Sequence, residues 1–238
     1  GDDGESILKI AENESFDFSE IDDLGQIVEI DDEIDYHIEK ILEMPEVDVK
    51  AIRKADFKVV VDGVDSSGGI FIPKLLNSLG VSNLICLFCE PTGRFSHNPE
   101  PLPENLEAIS EIVTENNADL GIVVDPDVDR LAFVCEDGTF FGEEYTLVAV
   151  ADYMLDKNAG PVVSNLSSTR ALHDIADKYG VSYKASAVGE VNVVNTMKET
   201  HAVIGGEGNG GVIVPALHYG RDALVGVALF LSHLAHSG

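Results

Sequence analysis

The chain has 238 residues, with 43 Asp or Glu against 15 Lys or Arg and a formal net charge of −28. Such acidity offers no positive surface for nucleic acid or anionic lipid, so neither is expected as a partner. Hydrophobic residues make up 45% of the chain, enough to bury a core, yet no apolar run approaches the ~20 residues of a membrane-spanning helix. Three cysteines and a start without signal-peptide features predict a soluble, cytoplasmic protein.

The first 50 residues are the most acidic part, with 18 Asp and Glu against three Lys. Such a block is typical of a solvated segment. Apolar residues are nevertheless interleaved through it: Ile27, Val28, Ile30, Ile34 and Ile38. We therefore expect the segment to pack on a surface that need not belong to this chain.

From residue 58 onwards, β-branched runs alternate with stretches of helical spacing. Strands are predicted over 58–63, 120–125, 161–165 and 202–207, and helices over 69–80, 103–117, 143–156, 169–180, 189–199 and 221–235. Continuous apolar runs suit strands covered on both faces. The alternation predicts α/β layers with mainly parallel sheets, which gather ligands at the carboxyl ends of their strands. Another apolar run, at 131–135, ends in the Asp137-Gly138 turn, so a domain boundary is predicted near 139–140.

A cluster of carboxylates follows the buried run that ends at residue 124. Its sequence is Asp125-Pro126-Asp127-Val128-Asp129-Arg130. Three carboxylates at alternate positions can converge from an irregular loop on one hard cation such as Mg²⁺ or Ca²⁺. Arg130 adds a planar fork that suits phosphate oxygens beside the metal. We interpret the segment as a divalent-metal loop in a site for a phosphorylated substrate.

Two other interpretations of this loop stay open. Asp125, Asp127 and Asp129 match the first ligand positions of an EF-hand calcium loop, as in a stand-alone calcium-binding module. Glu136 falls at its last ligand position, although Arg130 stands where that loop needs Gly. The third interpretation is a phosphatase with Asp125 as its aspartyl nucleophile and Asp127 as its acid.

A second constellation places one carboxylate and one amide among glycines. It reads Gly205-Gly206-Glu207-Gly208-Asn209-Gly210-Gly211 and follows an apolar run. Glycine permits close backbone approach to a ligand. Glu207 can accept from neighbouring sugar hydroxyls, and Asn209 can both donate and accept. The alternative is a plain turn.

Taken in this order, the pieces resemble the α-D-phosphohexomutase family, which includes phosphoglucomutase, phosphomannomutase and phosphoglucosamine mutase. Residues 125–130 look like its magnesium loop, and residues 206–211 look like its sugar-recognition loop. Residues 61–69 and 95–101 also resemble family segments. The similarity extends over roughly residues 36–238.

The resemblance implies two consecutive three-layer α/β domains with mixed, mainly parallel sheets. Residues 36–139 correspond to the family's second domain, residues 140–238 to its third, and residues 1–35 to the acidic tail of a first domain. The phosphoserine and the phosphate-binding loop belong to the first and fourth domains of the family. We therefore expect a two-domain fragment that is inactive alone and has the other domains of the same polypeptide as partners.

The resemblance also implies roles for individual residues in exchanging hexose 1-phosphate and 6-phosphate through a phosphoserine and a bisphosphorylated sugar. The implied Mg²⁺ ligands are Asp125, Asp127 and Asp129. Arg130 would face the phosphoserine as the catalytic residue. The implied substrate-binding residues are Glu207, Asn209, Gly210, Gly211, Glu190 and Arg170.

Departures from the family pattern concern both loops. Pro126 and Val128 stand where many relatives have Gly, which should stiffen the metal loop without removing a ligand. Gly211 and Asn209 stand where many relatives have His and Ser. With these two residues, the sugar loop resembles that of phosphoglucosamine-mutase-like members more than that of animal phosphoglucomutases.

Two further features are expected to be structural. Cys86 and Cys89 have redox-motif spacing but lie by an apolar run, which predicts core packing. Among the histidines, His218 is of interest because it leads into a helix just after the sugar loop. Asp222 is predicted to cap that helix.

Overall fold

The computed structural model describes residues 2–30 and 33–237. Gly1, Asp31 and Asp32, in the predicted acidic tail, and Gly238, at the end of the domain predicted over 140–238, lie outside the described residues. The chain divides into two compact units, one ending at Glu33 and the other beginning at Ile34.

In residues 2–30 the structure describes helix α1 (Asp2–Glu12) and a 3-10 turn (Ile21–Asp23). No residue of α1 is buried. The apolar side chains Ile27 and Val28 are 96% and 76% exposed. A helix of this length is marginal by itself in water. The surface on which this segment would pack therefore stays a prediction.

The second unit begins at the second residue of helix α2 (Glu33–Leu42), continues with α3 (Val49–Ala55) and leads into a four-stranded sheet. The elements of this sheet and its covering helices are β1 (Lys58–Asp62), α4 (Gly68–Leu79), β2 (Asn83–Leu87), a 3-10 turn (Pro103–Asn105), α5 (Glu107–Glu115), β3 (Leu120–Val124) and β4 (Leu131–Cys135). The strand order is β2-β1-β3-β4, and only β4 runs antiparallel to its neighbour. The central strands β1 and β3 are covered on both faces, which explains their continuous apolar runs.

A second sheet repeats this topology. Its elements are α6 (Glu143–Lys157), β5 (Val162–Asn165), α7 (Ala171–Tyr179), β6 (Tyr183–Ser186), α8 (Glu190–Thr200), β7 (Ile204–Glu207), β8 (Gly211–Ile213) and α9 (Ala223–Ser237). The strand order is β6-β5-β7-β8, again with only the last strand antiparallel. The two halves therefore have the same strand arrangement although their sequences show no residue-level repeat.

Helices cover both faces of each sheet. Val60 packs against Ile109 of α5 on one face of the first sheet, and Val163 packs against Met197 of α8 on one face of the second. The other faces of both sheets share one hydrophobic cluster. Within it, the rings of Phe133 in β4 and Phe230 in α9 stack at 3.8 Å. This arrangement confirms the predicted class of two consecutive three-layer α/β domains with mixed, mainly parallel sheets.

The sequence missed three strands, β2, β6 and β8. β2 and β6 are edge strands whose side chains are mostly half-buried or exposed, so neither has the continuous apolar run of a central strand. β8 has only three residues. Because β2 lies at an edge, Cys86 is exposed, and its predicted core packing was wrong. The predicted helix over 103–117 is a 3-10 turn followed by α5.

Among the described residues, no helix combines the length and the apolar character required to cross a membrane.

Candidate active site

The loop between β3 and β4 brings the three predicted metal ligands together. Asp125, Asp127 and Asp129 each have a carboxylate oxygen within 4.8 Å of the others. Asp125 is 1% exposed, and its Oδ1 accepts the backbone N–H groups of Asp129 and Arg130 at 3.0 Å each. Carboxylate oxygens are the donors that Mg²⁺ and Ca²⁺ prefer. This donor set therefore fits a hard divalent cation.

Val128 shapes the metal loop. Its φ of +60° lies in the left-handed region, which is rare for a β-branched residue. Its side chain is buried in the core, which stabilises by about 1.5–3 kcal/mol and offsets strain of similar size. On the other side of the loop, the Pro126 carbonyl accepts the hydroxyls of Ser66 and Ser67 at 2.8 and 2.7 Å. The loop is therefore held by packing and by hydrogen bonds from outside it.

Two of the predicted metal ligands, Asp125 and Asp129, have pKa shifts in opposite directions. Burial acts to raise the pKa of Asp125, but hydrogen bonds from Arg130 outweigh it and lower this pKa. Burial and the neighbouring Asp125 carboxylate raise the pKa of Asp129 to about 7. A cation at this position would favour the ionised form of both carboxylates.

Arg130 links the metal loop to the segment 95–101. Its Nε donates to Asp125 Oδ2 at 2.7 Å, and Nη1 and Nη2 donate to the two oxygens of Glu100 at 2.5 and 3.4 Å. Burial acts to lower the pKa of Arg130, but the hydrogen bonds to Glu100 and Asp125 raise it. A carboxylate thus occupies a fork that also suits phosphate.

The segment 95–101 is tied to the end of β1. The backbone N–H of Ser96 donates to Asp65 Oδ2 at 2.8 Å. His97 Nε2 lies 3.0 Å from Asp62 Oδ2, and Asp62 is buried. These contacts hold the first part of the segment, which leads to Glu100. The two segments that resemble the family at 61–69 and 95–101 therefore meet beside the metal loop.

The EF-hand interpretation does not fit the β3–β4 hairpin. The antiparallel register places Cys135 opposite Leu120, at the start of β3. Glu136 therefore lies at the far end of the hairpin from Asp125. Five strand residues span roughly 17 Å, too far for both carboxylates to bind one cation.

The phosphatase interpretation does not fit the environment of Asp125. An aspartyl nucleophile must present a carboxylate oxygen to its substrate. Both oxygens of Asp125 accept hydrogen bonds from the loop, and the residue is almost completely buried. The Asp125 carboxylate therefore holds the loop in its conformation and does not present a free oxygen to a substrate.

The carboxylate of the glycine-rich loop, Glu207, lies at the end of β7 and is 5% exposed. Its Oε1 accepts the Asn165 side-chain amide at 2.7 Å and the Gly189 N–H at 3.3 Å. Its Oε2 accepts Arg221 Nη1 at 3.1 Å. Protein donors therefore already orient both oxygens, and a sugar hydroxyl would have to use their remaining lone pairs.

The other residues of the sugar loop lie beside Arg130. Asn209 accepts the Gly211 N–H at 3.3 Å, and it lines a cavity of about 170 Å³ together with Glu100, Arg130, Glu143 and Ser167. This volume is below the ~300–1,000 Å³ typical of ligand pockets, so the cavity can form only one corner of a substrate site.

Gly210 joins the sugar loop to the metal loop. Its carbonyl accepts the Leu131 N–H at 3.1 Å, and an isolated antiparallel bridge pairs Gly211 with Arg130. Gly210 has a φ of +89°, and a Cβ there would lie 2.3 Å from the Leu131 carbonyl oxygen. Glycine is therefore required at this position for the two loops to meet.

Sequence reasoning missed Arg221, which lies between the two loops. Its Nη2 donates to Asp129 Oδ2 and its Nη1 to Glu207 Oε2. Within the described residues, its buried Nε makes no hydrogen bond, although Glu190 Oε2 lies 3.3 Å away. The available signal was the excess of carboxylates in both loops, because a buried acidic cluster needs a counter-charge.

The remaining two predicted substrate-binding residues, Glu190 and Arg170, lie in different surroundings. Glu190 begins α8, and its Oε1 accepts the backbone N–H of Arg221 at 3.3 Å. Arg170 precedes α7, is exposed, and pairs with Asp174 at 3.0 Å. The structure thus brings Glu190 into the cluster around Arg221 but does not bring Arg170 into it.

Asp222 caps α9, as predicted. Its Oδ1 accepts the N–H groups of Leu224 and Val225 at 2.8 and 3.2 Å. Its Oδ2 lies 2.8 Å from His37 Nε2 and 3.0 Å from His218 Nε2. Burial acts to raise the pKa of Asp222, but the two histidines lower it to about 2. Asp222 therefore fixes the backbone next to Arg221.

Comparisons with known proteins agree with this architecture. The sequence model described as "Phosphoglucomutase/phosphomannomutase, alpha/beta/alpha domain II" matches residues 35–138, and the corresponding domain III model matches residues 142–238. A phosphoglucomutase/phosphomannomutase of Thermococcus kodakarensis is 38% identical over 194 residues, covering 81% of this chain and 42% of the relative.

Two further similarities extend over nearly the whole chain. A probable phosphoglucosamine mutase of Methanopyrus kandleri is 32% identical over 219 residues, covering 91% of this chain and 47% of the relative. The crystal structure of a phosphoglucomutase/phosphomannomutase family protein from Burkholderia thailandensis has a TM-score of 0.81 and 27% identity, covering 99% of this chain and 50% of that chain. The chain spans about half the length of the curated relatives it matches. It belongs to the phosphoglucomutase/phosphomannomutase family and carries the family's domains II and III.

Proposed function

We propose that this chain supplies the metal-binding and sugar-recognition domains of a phosphohexomutase, which interconverts hexose 1-phosphate and hexose 6-phosphate. One observation carries the proposal: the metal loop and the sugar loop meet, because Arg221 contacts both Asp129 and Glu207. Phosphoryl transfer to a sugar hydroxyl needs a cation site and hydroxyl-binding groups side by side.

The metal loop would hold the phosphoryl group. Asp125, Asp127 and Asp129 would bind Mg²⁺, which when bound neutralises charge on the transferring phosphoryl group and makes it more electrophilic. Arg130 would bind phosphate oxygens through the fork that Glu100 fills here. The exposed Asp127 is the ligand most easily reached by an incoming cation.

The sugar loop would orient the hexose. Asn209 lines the cavity beside Arg130 and can donate to one hydroxyl while accepting from another. Glu207 would accept a hydroxyl from its buried, pre-oriented position. Gly210 and Gly211 would shape the sugar loop, since the space that a Cβ would need at each is taken by Leu131 and Arg221. Glu190 would act at the rim of the same cluster.

The rest of the reaction would come from other domains of the same polypeptide. The chain covers 42% and 47% of two relatives, and the resemblance assigns the phosphoserine and the phosphate-binding loop to domains outside this similarity. We propose that the isolated chain binds metal and sugar groups but does not complete the transfer.

Calorimetric titration of the chain with Mg²⁺ and with Ca²⁺ tests the metal assignment. Asp127→Asn is the informative variant, because Asp127 is exposed whereas Asp125 also accepts backbone hydrogen bonds. We expect it to weaken Mg²⁺ binding at least tenfold. Glu136→Gln removes the same charge at the far end of the hairpin and should change nothing. Binding of Ca²⁺ alone, weakened by Glu136→Gln, would favour the calcium-module interpretation.

A coupled hexose-phosphate assay tests whether the isolated chain lacks mutase activity without the other domains. The chain alone should show no turnover of glucose 1-phosphate, mannose 1-phosphate or glucosamine 1-phosphate with Mg²⁺ and a bisphosphorylated sugar present. Robust turnover by the isolated chain would contradict the proposal.

A further inference from the structure

We propose that Arg221 is a positioning residue that couples the metal loop to the sugar loop, an inference that rests on the proposed function. Its guanidinium contacts Asp129 through Nη2 and Glu207 through Nη1, with Glu190 Oε2 3.3 Å from Nε. These carboxylates come from three separate parts of the chain. The planar guanidinium of Arg221 therefore sets the distances between Asp129, proposed as a metal ligand, and Glu207 and Glu190, proposed to bind the sugar.

The shape of the guanidinium matters as well as its charge. Its three nitrogens face three different carboxylates, and the side chain is 18% exposed. A lysine ammonium is a point charge on a flexible stem and cannot present the same fixed fork. The geometry therefore distinguishes positioning by Arg221 from simple neutralisation of an acidic cluster.

The backbone of Arg221 is fixed before its side chain acts. Its N–H donates to Glu190 Oε1 at 3.3 Å. The next residue, Asp222, donates its N–H to the Val212 carbonyl at 2.9 Å and caps α9 with its side chain. The guanidinium thus extends from a rigid point at the start of a buried helix, as preorganised sites require.

Gly211 makes room for this arrangement. A Cβ at residue 211 would lie 2.4 Å from Cδ and 3.1 Å from Cγ of Arg221. The stem of Arg221 therefore occupies the space that any side chain at 211 would need. Since the guanidinium is held by carboxylates at its far end, the stem cannot move aside without breaking those contacts. The position of the Arg221 side chain therefore depends on the absence of a side chain at Gly211.

The consequence for the site is that Arg221 holds one oxygen of Asp129 and one of Glu207 in place. Partners that orient a metal ligand from outside the coordination sphere typically contribute 10–100-fold to metal affinity. The positive charge of Arg221 by itself would lower the metal affinity, so its removal would favour binding of a divalent metal if charge were its only effect. The sign of the effect therefore separates the two roles.

The first experiment measures Mn²⁺ affinity of the full 238-residue chain by calorimetry and electron paramagnetic resonance. Arg221→Met should weaken binding 10–100-fold, and Arg221→Lys should recover only part of the loss. Arg53→Met is the matched control, because Arg53 contacts the Ser78 carbonyl on another surface and its loss removes the same charge. Thermal unfolding without metal shows whether each variant is folded.

The second experiment is a double-mutant cycle with Gly211→Ala. Alone, this substitution should weaken Mn²⁺ binding as Arg221→Met does, because the new methyl displaces the Arg221 stem. In the Arg221→Met background no guanidinium is held by carboxylates, so the stem is free to move aside, and Gly211→Ala should add less than a twofold change. Additive losses would overturn the inference.

The third experiment follows the Asn165 side-chain amide by NMR at saturating Mg²⁺. This amide donates to Glu207 Oε1 and is linked through Arg221 to Asp129. Mg²⁺ should shift its resonance in the wild-type chain but not in Arg221→Met. A merely structural role for Arg221 would leave the shift unchanged in folded variants.

The outcomes separate this inference from the proposed function. If the wild-type chain binds no Mn²⁺, or binds it equally well after Asp127→Asn, the proposed function fails. If Asp127→Asn weakens binding but Arg221→Met leaves it equal or tighter, only the positioning role of Arg221 is overturned.

Discussion

The carboxylate oxygens of Glu100 lie 2.5 and 3.4 Å from Nη1 and Nη2 of Arg130. The proposed function assigns this fork to phosphate, so Glu100 occupies the place of an anionic ligand. Glu100 is 48% exposed, and exposed ion pairs contribute only about 0.2–1 kcal/mol. The pair is therefore weak enough for a phosphate to displace.

Removing the charge of Glu100 should strengthen anion binding at Arg130. We expect Glu100→Gln to raise the affinity for inorganic phosphate about two- to fivefold, because the competing carboxylate is gone. Phosphorus NMR titration of the chain measures this affinity. Glu104→Gln removes an equal charge from the neighbouring 3-10 turn and should have no effect. Equal gains in both variants would show a general charge effect instead.

The backbone strain at Val128 predicts an unusual pair of substitutions. Val128→Ala removes buried methyl groups and keeps a left-handed residue, whereas Val128→Gly removes more volume but relieves the strain. We expect the two variants to be within about 1 kcal/mol of each other in free energy of unfolding, measured in urea.

Val123 is the matched control for this comparison. It is equally buried, but it lies in the regular strand β3. There, Gly should cost at least about 1 kcal/mol more than Ala, because no strain is relieved and a strand interior disfavours Gly. The same difference at Val128 and Val123 would mean that the loop stores no strain.

The contact between His37 and Asp222 predicts that the stability of the fold depends on pH. The hydrogen bond with Asp222 raises the pKa of His37, although burial of the imidazole acts to lower this pKa. Stability from this shift is fully present below the unfolded-state pKa of about 6.5 and is lost as pH rises through the folded pKa. The pKa of Asp222 is lowered to about 2, so its contribution is present above pH ~4 and is lost as pH falls towards 2.

We therefore expect His37→Gln to lower the free energy of unfolding by about 1 kcal/mol at pH 6 and by less at pH 9. Urea unfolding at both values measures the difference. His201→Asn is the control, since His201 is exposed at the left-handed end of α8, a conformation that Asn tolerates. A deficit for His37→Gln that is equal at both pH values would mean that His37 is not protonated in this pair.

The metal loop could be predicted from sequence because its determinants are local. Asp125, Asp127 and Asp129 lie within five residues, directly after a continuous buried strand, so their convergence depends on one turn. The central strands were predicted for a related reason, since burial on both faces leaves an unbroken apolar run. Edge strands such as β2 carry no such run.

The role of Arg221 could not be predicted in this way. Its partner Asp129 lies in the loop after β3, whereas Glu207 ends β7 of the other sheet, and no local pattern specifies that they share one guanidinium. The opposite case is Arg170, for which the family resemblance implied a substrate-binding role. An i,i+4 partner, Asp174, holds its guanidinium on the exposed surface of α7. Side-chain direction at a loop end depends on such contacts, which spacing alone does not determine.

The junction between the two loops depends on Gly210. Gly210→Ala would place a methyl carbon 2.3 Å from the Leu131 carbonyl oxygen at a φ of +89°. We expect a loss of about 2–4 kcal/mol in free energy of unfolding, from strain and from the broken Leu131–Gly210 hydrogen bond. Gly180→Ala provides the control, because Gly180 also has positive φ but a Cβ there meets nothing within 4 Å. Its cost should be about 1 kcal/mol. Hydrogen exchange at the Leu131 amide should accelerate in Gly210→Ala alone, and equal costs without this change would show that the two loops do not depend on Gly210.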